Sequence, residues 1–93
     1  MNRPKIEEVN YYDFVARLKT ATARGQRLER SDQPAWDAYV EANKINEVAM
    51  ASWGRSKFGE TEPVIINDGG TWQGYYVYSK TEEACLKWVK PDE

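Results

Sequence analysis

The chain has 93 residues, 41% hydrophobic and 30% charged, with a formal net charge of −2. That length suits one domain, and four Trp and six Tyr are the opposite of a disordered composition. With no histidine and a single cysteine, Ser-His and Cys-His nucleophile pairs, His-ligated metals, zinc sites and internal disulfides are all excluded.

Along the chain, the opening MNRPKIEEVN has no apolar run of the signal-peptide kind. Asn10 is a good helix N-cap, Asp13 sits in the first turn, and Tyr11, Phe14, Val15, Leu18 and Ala21 recur at three-and-four spacing. A first helix is therefore expected from Asn10 to a stop at Gly25. RGQRLERSDQP reads as a polar connection. Pro34 is tolerated in the first turn of a second helix, expected over about 34–53. Its apolar patches are Trp36, Tyr39 and Val40, then Ala42, Ile45, Val48, Ala49 and Trp53, with Gly54 as its stop. GRSKFGETEP reads as a loop carrying one isolated ring, Phe58.

Next comes a hairpin. PVII is apolar and β-branched, NDGG is a strong turn signal and TWQGYYVYS returns, giving strands over about 63–67 and 71–78. A two-residue turn puts Val64, Ile66, Thr71, Gln73, Tyr75 and Val77 on one face, and Ile65, Trp72, Gly74, Tyr76 and Tyr78 on the other. No charge within PVII blunts its edge, so a covering helix or a symmetric dimer is expected there. Ser79-Lys80-Thr81-Glu82 matches a capping box and opens a third helix over about 80–90, ended by Pro91. Cys85, beside Leu86 and Trp88, reads as a small buried hydrophobe. The expected fold is a small single α+β domain of order α-α-β-β-α, and no stretch approaches the roughly 18 apolar residues of a membrane span. A cytoplasmic location follows from these features.

The candidate site is the aromatic strand. Three helices cover one face of a hairpin more easily than two, which would leave Trp72, Tyr76 and Tyr78 around Gly74 to be offered to a partner. The alternative is that the third helix or the end of the second wraps over that face and makes Trp72 and Tyr76 core. Residues 17–30 carry Arg17, Lys19, Arg24, Arg27 and Arg30 against Glu29 alone, and Arg55 and Lys57 follow later. Binding is thus expected at Trp72, Tyr76, Tyr78, Arg24, Arg27, Arg30, Arg55 and Lys57, with no cofactor and no metal. NDGG and WGRSKFG match neither a P-loop nor a dinucleotide fingerprint. Asp37 and Glu41 form a pair of the kind usually found on a solvated face. The reading is a non-enzymatic binding protein, a regulator, inhibitor or adaptor of viral or mobile-element type, acting on another protein or a second copy of itself. The alternative is single-stranded nucleic acid or nucleotide stacked on the rings and flanked by Arg and Lys.

Overall fold

The computed structural model describes residues 5–89. Asn10 acts as its side chain implies: Oδ1 accepts from the Asp13 N–H at 3.0 Å, opening helix α1, Tyr11–Ala23. Gly25, at φ 70°, ends that turn in the left-handed conformation that glycine adopts without a steric penalty. Beyond α1 the expected order gives way to β-α-β-α-α-β-β-β. The strands are β1 Lys5–Val9, β2 Arg27–Leu28, β3 Glu62–Ile66, β4 Gly74–Ser79 and β5 Ala84–Val89. They form one antiparallel sheet in the order β1-β5-β4-β3-β2. The other helices are α2, Ala35–Ala42, and α3, Glu47–Phe58.

The single second helix is corrected to two. Lys44 takes φ 53°, Asn43 donates Nδ2–H to the Tyr39 carbonyl, and Asn46 Oδ1 accepts from the Ala49 N–H at 3.0 Å to cap α3. Gly54 is not a stop but an interior residue of α3, which runs on to a C-cap at Gly59 with φ 80°. Its missing side chain lets the helix settle on β4, where a Cβ would stand 2.9 Å from Val77 Cγ1.

The third helix is corrected to strand β5. Ser79 Oγ does accept from the Glu82 N–H at 3.1 Å, but the motif closes a turn in which Glu83 has φ 50°. The chain then reverses onto β4, pairing Tyr78 with Cys85 and Val77 with Leu86. The expected stop at Pro91 lies outside the described residues. β1, unassigned in the sequence reading, pairs with β5 through Ile6 and Trp88.

Hairpin register supplies the most consequential correction. The β3–β4 loop spans 67–73, closed internally where Asp68 Oδ1 accepts from the Gly70 N–H and Gln73 Nε2 donates to Asn67 Oδ1. Val64 therefore stands opposite Tyr76 and Ile65 opposite Tyr75. A two-residue turn would have matched the strands with the opposite parity, and a one-residue slip moves every side chain to the other face.

The sheet is covered on both sides. Phe14, Leu18 and Ala21 of α1 pack on Val64, Ile66, Tyr76, Tyr78 and Cys85. Trp36, Ile45 and Met50, from α2, the corner and α3, pack on Ile65, Tyr75, Val77, Leu86 and Trp88. Every residue of β4 is buried, as befits a central strand between two helical layers. β2 covers the outer edge of β3 only at Ile65 and Ile66, and among the described residues Glu62 to Val64 have no strand neighbour on that side. The outer edges are a two-residue strand and a strand bearing Lys5, Glu7 and Glu8, and short or charged edges resist pairing with another chain.

Candidate functional site

The aromatic strand is not offered to solvent. Tyr76 is fully buried and Tyr78 nearly so, each ring centroid 5.2 Å from that of Phe14. Their hydroxyls are satisfied inside the protein: Tyr76 donates to the Trp72 carbonyl at 2.9 Å and Tyr78 to Glu62 Oε2 at 3.0 Å. Burial pushes the Tyr78 hydroxyl up to about 12, helped by the Glu62 carboxylate, and raises that of Tyr76 as well. Trp72, half-buried in the β3–β4 loop, stacks on Tyr76 with centroids 6.3 Å apart, while the Arg17 guanidinium lies 6.0 Å from its ring centroid. Of the two readings of this face, the core one describes Tyr76 and Tyr78, and Trp72 anchors the loop beside them.

The cations expected around that strand are dispersed. Arg24 is exposed at the C-cap of α1. Arg27 is half-buried and bonded to Glu29 at 2.6 Å, and Lys57 ties α3 to β1 through Glu8 at 3.6 Å. Two of them do converge. Arg30 and Arg55 line one cleft of about 230 Å³ whose apolar walls include Ala51, Pro63 and Val77.

Beside that cleft is a carboxylate that the sequence alone does not single out. Glu47 Oε2 accepts from Trp36 Nε1 at 3.1 Å, Tyr75 Oη at 3.0 Å and Arg30 Nη2 at 3.2 Å. One oxygen thereby joins the β2–α2 connection, α2, α3 and β4. Desolvation and this carboxylate together raise the Tyr75 hydroxyl above its usual range, so it stays a donor.

Large apolar side chains are exposed at Tyr12 on α1 and on the outer side of α3. Met50, Gly54 and Phe58 turn inward at four-residue steps, so Val48, Ser52 and Ser56 turn outward. Val48 is 79% exposed and Trp53 48% exposed, on either flank of that outer side. Ala49, Ser52 and Ser56 make the surface beside Trp53 shallow, and Lys57 borders it. By sequence, Trp53 falls in one apolar patch with Ile45 and Ala49, a grouping that holds only for a helix running through 43–46 without a break.

Among the described residues no helix is long and apolar enough to cross a membrane, and no group of three or more Cys, Asp or Glu side chains is arranged to hold a metal ion. Comparison with protein-family models, curated proteins and solved structures found no significant match to this chain.

Proposed function

We propose that the protein is a small cytoplasmic binding domain, a regulator, inhibitor or adaptor, that occupies a surface of another protein through the outer face of α3. The exposure of Trp53 and Val48 on one helix carries this reading. Tryptophan is among the residue types most enriched where truncation costs most at interfaces. Binding is favoured over catalysis because Glu47, the most connected carboxylate, is committed to three internal donors. Protein is favoured over single-stranded nucleic acid because the rings of β4 lie in the core and Trp72 already stacks on Tyr76 beneath Arg17.

The experiment is capture from a lysate of the source cells, treated or untreated with nuclease, on immobilised wild-type protein and Trp53→Ala. A hot-spot tryptophan contributes roughly 2 kcal/mol or more, so the variant should bind its partner about thirtyfold more weakly while melting at an unchanged temperature. Equal capture by the two proteins, or capture abolished by nuclease, overturns the reading.

A further inference from the structure

The inner flank of α3 points to the chemistry of the partner. Arg30 arrives from the β2–α2 connection and Arg55 from the last turn of α3, and both reach the cleft of about 230 Å³ floored by Tyr75 and Val77. Their situations differ. Arg30 is held by its bond to Glu47 at 3.2 Å on a side chain that is 62% exposed. Arg55 has no carboxylate within 4 Å among the described residues, although Glu60 lies on the same rim. A guanidinium is a fork of donors whose geometry matches a carboxylate, and a free one beside apolar walls is most favourably satisfied by an acid arriving with aliphatic neighbours.

We infer that this cleft receives an aspartate or glutamate side chain from an acidic, aliphatic-containing segment of the partner protein, an inference that rests on the protein-binding role proposed above. Size favours this occupant over a nucleic acid: the space holds one or two side chains. Local charge disfavours a polyanion, because Glu47 and Glu60 offset the two arginines and would repel a run of phosphates. Glu60 is then an internal competitor for Arg55, within a cleft that partner binding would take over.

The test uses the full chain and two blocked pentapeptides, one alternating leucine with glutamate and one alternating leucine with glutamine, followed through the side-chain Nε–H resonances of the arginines. The glutamate peptide should shift the Arg30 and Arg55 signals and the glutamine peptide should leave them in place. Arg55→Gln should weaken the glutamate peptide at least fivefold with an unchanged melting temperature, and Glu60→Gln should tighten it. Equal response to the two peptides overturns the inference. So does a decathymidylate that moves the same resonances at lower concentration, since phosphate would then be the preferred ligand. The Trp53→Ala capture result is read separately, so failure of the peptide does not count against the α3 interface.

Discussion

Removing Glu47 tests how much of this fold hangs on one carboxylate oxygen. In Glu47→Ala, the Trp36 indole N–H and the Tyr75 hydroxyl lose their acceptor inside residues that are 1% and 2% exposed. A buried donor left without a partner costs about 1–3 kcal/mol. The Arg30 pair adds little, because that side chain is 62% exposed and surface ion pairs contribute about 0–1 kcal/mol. Glu47 is itself 24% exposed, so water can enter from its side and recover part of the loss. The net expectation is about 2–4 kcal/mol. For a domain of this size that lowers the melting temperature by on the order of 10–25 °C. Glu47→Gln keeps an oxygen for the donors and removes only the charge, so its cost should be nearer about 1 kcal/mol. Thermal melts followed by near-ultraviolet circular dichroism, which sees the Trp36 and Tyr75 rings, give the ranking: wild type, then Gln, then Ala. An alanine variant melting within a few degrees of wild type would refute the reasoning, because the two orphaned donors would then have found other partners at no cost.

Three further outcomes follow from the same geometry. Gly54→Ala sets a helix-propensity gain of about 1 kcal/mol against overpacking of about 1–3 kcal/mol. The new Cβ would stand 2.9 Å from Val77 Cγ1 in the middle of the sheet and 3.2 Å from Thr61 Oγ1, so overpacking should win, and a variant more resistant to urea than wild type would contradict that. Tyr76→Ala should lose about 3–5 kcal/mol, the cost of truncating a buried ring, and a melting temperature close to wild type would return Tyr76 to the surface. Stability should also fall in alkali. Burial holds the Cys85 thiol and the Tyr78 hydroxyl at about 12 in the fold, above their ordinary values of 9.0 and 10.0. The folded state thus retains protons that the unfolded chain releases, so this stabilisation is complete below pH 9 and is lost as the pH rises through about 12. Urea melts across that window, with tyrosinate absorbance as the second probe, would show a flat profile if those groups were solvated.

Local chemistry by itself determined several features. Asn10 caps a helix and Gly25 ends it because both act on their immediate neighbours. Val64 to Ile66 form a strand, and Cys85 is buried, as their side chains imply. The rest was decided by contacts the sequence does not display. Asn43 to Asn46 could lie within a helix, and the chain breaks there because the split lets Ile45 and Met50 both reach the same face of the sheet. Ser79 hydrogen-bonds the Glu82 N–H equally well at the start of a helix or in a tight turn. The turn prevails because β4 has a free side, and β5 brings Leu86 and Trp88 to one layer and Cys85 to the other. Reading β5 as a helix left one side of β4 without a strand, and misjudging the loop by one residue of parity grouped Tyr76 and Tyr78 with Ile65 instead of with Val64 and Ile66. The strand that looked like a binding surface is the centre of the molecule. A central strand needs apolar side chains on both faces, and no count of rings distinguishes that from an exposed aromatic strip until both of its neighbours are in place. Trp53 shows the converse, since a large ring on a helix reads as core unless the inner face is already filled, here by Met50, Gly54 and Phe58.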